Sequence, residues 1–133
     1  MQAADIAAAR RLWQAVKGVG LSTADEPAAL ASFLDRNPGL SFVAEADGPL
    51  VGAVLCGHDG RRGYIHHLAV APAYRRQGLA AALTDHCLRA LARAGINKCH
   101  LFVFRENAAG QAFWRVTGWT ERVDLTVFSH EIE

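Results

Sequence analysis

The segment Leu68-Ala69-Val70-Ala71-Pro72-Ala73-Tyr74-Arg75-Arg76-Gln77-Gly78-Leu79-Ala80 carries the decisive pattern of this chain. Its first residues close an extended apolar run, Pro72 ends that run, two arginines follow in the turn, and Gly78 stands where a helical period begins. The first amides of a helix lack intrahelical acceptors and lie at the positive end of the helix dipole, so such a turn can hold phosphate oxygens. Gly78 lets a pyrophosphate approach the backbone, Ala80 keeps the next turn uncrowded, and Arg75 and Arg76 add charge. Each charge at a helix end contributes only about 0.3 to 2 kcal/mol, so useful affinity needs several groups acting together. The turn is not a Walker loop, because Lys and Ser or Thr do not follow the glycine, and GxGxxG is absent. Read alone, RxxGxA fits a solvated basic loop before an ordinary helix equally well.

Upstream, Ile6, Leu12, Trp13 and Val16 recur at helical spacing between Asp5 and Val16. A second helix begins near Asp25, takes Pro27 into its first turn, and runs through Leu30, Phe33 and Leu34 until Asn37-Pro38-Gly39 stops it. Leu40 to Ala46 and Leu50 to Cys56 then read as antiparallel strands joined at Asp47-Gly48, with Tyr64 to Val70 as a third strand. Downstream, Leu79, Leu83, Cys87, Leu88 and Leu91 mark a long amphipathic helix ended by Gly95. Lys98 to Phe104 reads as a fourth strand, Asn107 to Thr117 as a short helix, and Trp119 to Val123 with Leu125 to Ile132 as a last strand pair. This order predicts an α/β architecture: a mixed sheet covered by helices, with a parallel crossover around the long helix. A sheet starting at Leu40 has an unpaired edge near Phe42 and Val43, which predicts either a homodimer or a strand supplied from upstream.

Composition narrows the function. With 133 residues, 51% of them hydrophobic, the chain is expected to be one domain over 1–133 and not a disordered polymer. Fourteen basic against 13 acidic residues leave a net charge of +1, which argues against broad nucleic-acid or anionic-membrane surfaces. Met1 to Leu12 offers no signal-peptide core and no apolar run spans a bilayer, so a cytoplasmic location is expected. Cys56, Cys87 and Cys99 show no CxxC spacing and read as reduced, mostly buried thiols. His58, His86, His100 and His130 show no ligand spacing, so no metal is expected.

The central segment resembles motif A of the GNAT superfamily of acyl-CoA-dependent N-acyltransferases, whose pattern is (R/Q)xxGx(G/A) after a strand of form LxV. Arg75, Gly78 and Ala80 match the turn, Leu68 and Val70 match the strand, and Pro72 falls where members often carry proline. Asn107, Gly118 and Trp119 are similar to the family's N-x6-Y-x3-GF segment. The resemblance covers roughly Glu26 to the C-terminus. It implies a mostly antiparallel sheet with helices on both faces, splayed between the motif A strand and the next, lacking the family's first strand. It further implies acetyl-CoA as cosubstrate, its pantetheine hydrogen-bonded along Leu68, Ala69 and Val70 and supported by Asn107, and its pyrophosphate held by Arg75, Arg76, Gln77, Gly78, Leu79 and Ala80. An amine acceptor, small molecule or peptide, would attack the thioester directly, with a backbone amide of the third strand at the oxyanion. Two departures bear on substrate and acid. Trp114 occupies the position of the tyrosine that protonates the leaving thiolate in many members, leaving the general acid unassigned. Phe102 occupies the position of a glutamate found in enzymes that modify ribosomal proteins.

The acid/base candidates are His66, His67, Tyr64 and Glu45. An unbroken period of two puts His66 on one face with Tyr64, Leu68 and Val70, and His67 on the other with Ile65 and Ala69. Only one histidine then faces a cleft. Some members of the resembled family carry Glu or His at the position of His66, which makes it the favoured base, with Tyr64 second. His67 is expected to pack or hydrogen-bond beneath a helix, and Glu45 to be an exposed strand residue. Trp13, Phe33, Phe113 and Trp119 are core or pocket aromatics. A non-catalytic acyl-CoA-binding module, which Trp114 would suit, and a nucleotide-phosphate binder using the same turn are the rival readings.

Overall fold

Asp47 and Gly48 both take left-handed backbone angles, φ 53° and 101°, and close a hairpin between β1 (Phe42–Glu45) and β2 (Leu50–His58). The computed structural model describes residues 1–133. β3 (Gly63–Val70) pairs antiparallel with β2, and β4 (Cys99–Leu101) pairs parallel with β3, giving the order β1-β2-β3-β4. Between β3 and β4 lies α3 (Leu79–Arg93), the crossover helix that a parallel pair requires. These elements, with α1 (Ile6–Ala15) and α2 (Pro27–Arg36), make up one compact unit, Met1–Phe102. Pro27 occupies the start of α2, where its missing amide proton costs nothing.

The two sheet faces receive different helices. On one face Ala53, Leu55 and Ala69 join Ile6, Ala9, Leu12, Trp13 and Leu30 in a single cluster. On the other, Gly52 and Gly63 give α3 a close seat: a Cβ at Gly63 would lie 2.5 Å from Leu91 Cδ1, and one at Gly52 3.1 Å from Leu83 Cδ1. Cys56 and Cys87 are buried, and Cys99 is half-buried. The neighbouring Cys56 thiol, then burial, push the Cys87 thiol up, while burial holds Cys99 up at about 12. Both stay protonated near neutral pH.

The second unit, Val103–Glu133, contains α4 (Ala108–Val116). The expected strands Trp119–Val123 and Leu125–Ile132 do not form. Their apolar residues alternate, but alternation makes a strand only where a ladder partner satisfies the backbone, and Val123, Leu125, Val127, Phe128 and Ile132 remain exposed. The fourth strand is likewise shorter than its apolar run, ending at Leu101 with Phe102 and Phe104 exposed. No helix is long and apolar enough to cross a membrane.

Candidate active site

The β3–β4 ladder covers only Gly63 with Cys99, Tyr64 with His100, and Ile65 with Leu101. From His66 to Val70 the strand continues without a β4 partner, so Leu68, Ala69 and Val70 lie on a stretch that stays beside β2 and has a free edge on the β4 side. On the β2 side, Ala53 pairs with Ala69 and Leu55 with His66, so Val54 faces both His67 and Leu68. This is a β-bulge, and His67 sits in it at φ 55°.

The bulge corrects the alternation expected for the two histidines. Both rings face the α1–α2 side: His66 lies 6.2 Å from Phe33, His67 lies 5.3 Å from Trp13, and the two imidazoles are 6.4 Å apart. Beyond the bulge the parity is inverted. Val70 pairs with Gly52 against α3, so His66 keeps Tyr64 as a face partner but not Leu68 or Val70.

His67 is held beneath the helices. Its Nε2 lies 2.8 Å from Asp25 Oδ1, and since a carboxylate only accepts, Nε2 carries the proton. Asp25 also accepts from the Ser22 amide at 2.9 Å, while Arg10 Nε donates to the Asp25 carbonyl at 2.8 Å. The two side chains are 18% and 7% exposed, so the pair is largely desolvated and ties the α1–α2 connection to the bulge.

His66 instead faces a groove of about 190 Å³. The last turns of α2 contribute Phe33, Arg36 and Asn37, the end of β2 and its loop contribute Gly57, His58 and Asp59, and β3 contributes Tyr64 and His66. Asn37 bridges two of these walls, its Nδ2 donating to the Phe33 carbonyl at 3.2 Å and its Oδ1 accepting from the His58 amide at 3.0 Å. Gly57 permits this approach, because a Cβ there would stand 2.8 Å from both Asn37 Cγ and Phe33 Cζ. His58 Nδ1 accepts from the Gly60 amide at 2.9 Å, so neutral His58 presents an Nε2 proton. Hydrogen bonds from the Arg62 and Arg61 amides, each at 2.8 Å to Oδ1, hold the Asp59 carboxyl below its usual range. Burial, then neighbouring His67, hold His66 below the ordinary imidazole value, with Asp25 opposing. A neutral imidazole at this position is a proton acceptor. Tyr64 stacks near His100, ring centroids 5.8 Å apart.

At the far end of β3, Arg75 Nε donates to the Val70 carbonyl at 3.0 Å and pins the turn to the strand. Arg76 adopts φ 62°, Gln77 is exposed, and Gly78 caps α3 at φ 79°. No side chain caps this helix, and its first backbone bond runs from the Ala82 amide to the Gly78 carbonyl at 3.0 Å. The amides that begin at Leu79 and Ala80 therefore remain available for an anion. Nothing lies within 4 Å of a Cβ built at Gly78, so a side chain there would project over an open turn. These residues fit a bound pyrophosphate.

In the second unit, Asn107 is the N-cap of α4, its side chain accepting from the Gly110 amide at 2.9 Å. Trp114 packs between Phe113 and Trp119 at centroid distances of 4.9 and 5.1 Å, which gives the indole a packing role there. Trp13 is a core residue, 1% exposed, Phe33 is a groove wall, and Glu45 is exposed on β1. No three His, Cys, Asp or Glu side chains form a group that could hold a metal ion. Asp25, Arg36, Asn37, His58 and Asp59 were not candidates on sequence grounds. They stand in segments that read as turns and helix ends, and only the topology joins them to His66.

A model of the acetyltransferase (GNAT) family matches residues 6–119, and the chain belongs to that family. A Pectobacterium atrosepticum acetyltransferase is 41% identical over 76 residues, which cover 57% of this chain and 54% of that protein. The chain thus spans little more than half the length of that relative. Among solved structures, an aminoglycoside 6'-N-acetyltransferase from Acinetobacter haemolyticus is similar with a TM-score of 0.78 at 19% identity, over 98% of this chain and 94% of that one. A PaiA N-acetyltransferase from Thermoplasma acidophilum, solved with coenzyme A, is similar with a TM-score of 0.73 at 20% identity, over 89% and 85%. These likenesses establish the shared fold.

Proposed function

We propose that this chain is a cytoplasmic, acetyl-CoA-dependent N-acetyltransferase acting on a small-molecule or peptide amine. The observation that carries this reading is the stretch of β3 from His66 to Val70 that has no β4 partner and leads from the groove into the turn before the uncapped α3. Acetyl-CoA supplies an acyl group activated as a thioester. Leu68, Ala69 and Val70 offer main-chain groups to the pantetheine, and Arg75, Arg76 and the amides of Gln77 to Ala80 take the pyrophosphate. His66 accepts the proton of the acceptor ammonium, the freed nitrogen bonds to the thioester carbon, and the C–S bond breaks with its electron pair on sulfur. A backbone amide of β3 stabilises the oxyanion, and Tyr64 is a weaker proton-transfer candidate.

Packing of Trp114 among aromatics, where many family members carry a tyrosine, supports a second reading as a non-catalytic acyl-CoA-binding module. Thiol release from acetyl-CoA with a panel of amines separates the two. Amine-dependent release is the expected result, whereas tight CoA binding without release would establish the module. Competition by CoA but not by ATP at the turn distinguishes both from a nucleotide-phosphate binder.

A further inference from the structure

Two groove residues of opposite charge have no ion-pair partner. Arg36, exposed in the last turn of α2, makes neither a salt bridge nor a side-chain hydrogen bond, and Asp59, held ionised by its own loop, takes part in no salt bridge. Both line the end of the groove formed by the α2 terminus and the β2–β3 loop, where His58 adds a donor. His66 stands at the other end. The pairs Leu55 with His66 and His58 with Gly63 are three register positions apart, roughly 10 Å at the rise of a strand. Between them lie the rings of Phe33 and Tyr64.

Resting on the acetyltransfer reading, we propose that the groove takes an α,ω-diamino acid, its α-carboxylate on Arg36, its α-ammonium on Asp59, and its terminal amine at His66. The methylene chain runs over Phe33 and Tyr64, which bind an aliphatic spacer but not a charged one. A zwitterionic head group neutralises both unpaired charges at once. A polyamine would leave Arg36 facing a cation, and a simple amino acid would have to spend its α-amine both at Asp59 and at His66. In the reaction the ω-ammonium gives one proton to His66, the freed amine bonds to the thioester carbon, the C–S bond breaks with its electron pair on sulfur, and the second proton lost from nitrogen passes to the departing thiolate, leaving the ω-N-acetyl amino acid, CoA thiol and protonated His66. The α-amine stays unmodified. The ladder ends one residue before His66, so the thioester and the terminal amine approach the same point of β3.

The test compares L-lysine and L-ornithine with cadaverine and putrescine, which lack the carboxylate, and with norleucine, which lacks the terminal amine. Thiol release is followed, with mass spectrometry of the product to locate the acetyl group. The diamino acids should exceed the diamines in kcat/KM by about 10- to 100-fold, the range of one charge-assisted hydrogen bond, with acetylation at the ω-nitrogen. Arg36→Ala should abolish that preference by raising KM for the diamino acids, while calorimetric CoA affinity is retained. Turnover of diamines or norleucine at rates equal to or above the diamino acids overturns this inference and leaves the acetyltransferase reading standing. An unchanged preference in Arg36→Ala also overturns it. CoA binding without turnover of any amine removes both.

Discussion

In the proposed reaction His66 is the proton acceptor, and its burial disfavours the protonated form. Replacing it with alanine should lower kcat/KM by about 10²- to 10⁴-fold, remove the acidic limb of the pH profile, and leave CoA affinity unchanged by calorimetry. That limb should lie below the ordinary imidazole range, because burial and then His67 depress the folded-state value. The same shift makes a stability prediction. A histidine with a depressed folded pKa is neutral in the native state and protonates more readily when unfolded. Its contribution is therefore complete above about 6.5 and is lost as pH falls through the folded value. Urea midpoints should drop with acidification across that window, and less steeply in His66→Gln. Gly57→Ala tests the groove wall independently. Its Cβ would meet Asn37 and Phe33 at 2.8 Å, an overpacking that costs about 1–3 kcal/mol in chemical denaturation.

At the scale of elements, the start of α3 and the bulge of β3 make separable predictions. Alanine at Gly78 must adopt φ 79°, which costs about 1–2 kcal/mol, and its methyl group projects over the amides proposed for the pyrophosphate. Calorimetry should show at least about a tenfold loss of CoA affinity, the equivalent of about 1.4 kcal/mol, in a protein that still melts cooperatively. Asp25→Asn removes the charge that holds His67. Asparagine keeps an oxygen that can accept from His67 Nε2 but loses the charge-assisted bond, a cost of about 1–3 kcal/mol in chemical denaturation. Amides of the bulge should then exchange faster than those of Gly63 to Ile65, which remain in the ladder.

These two elements also show what a sequence can and cannot disclose. The turn before α3 was legible as structure because its signals are local: a proline after the strand, a glycine and a helix start within a few residues of one another. The helix bounds at Pro27 and Asn37 and the Asp47-Gly48 hairpin were legible for the same reason. The bulge was not. Counting residues by twos assumes an unbroken ladder, and a single inserted residue turned His67 to the helix side and moved Leu68 and Val70 to the other. The groove depends on Arg36, His58 and His66, which meet only after the hairpin and the α2 terminus have packed together. The alternating apolar residues after Trp119 misled in the opposite direction, since a pattern suited to a strand does not provide its partner.

At the scale of the whole molecule, β1 has β2 as its only neighbour in the sheet, and it is short, bulged between Ala44 and Glu45, and carries an exposed glutamate. Short, bulged, charged edges resist uncontrolled pairing, so self-association here should be a limited dimer and not an open polymer. Light scattering should show a mass that rises with concentration and levels off at two chains. A constant single-chain mass at high concentration would remove the dimer. The function proposed for the molecule depends on one strand serving two ligands, with pantetheine along its free edge and the acceptor amine over His66. Hydrogen exchange with and without acetyl-CoA measures that arrangement most directly. The account predicts slowed exchange at His66 to Val70 and at Gln77 to Ala80, with the ladder residues Gly63 to Ile65 unaffected. Binding that leaves both segments unprotected, or that protects a different part of the chain, would contradict it.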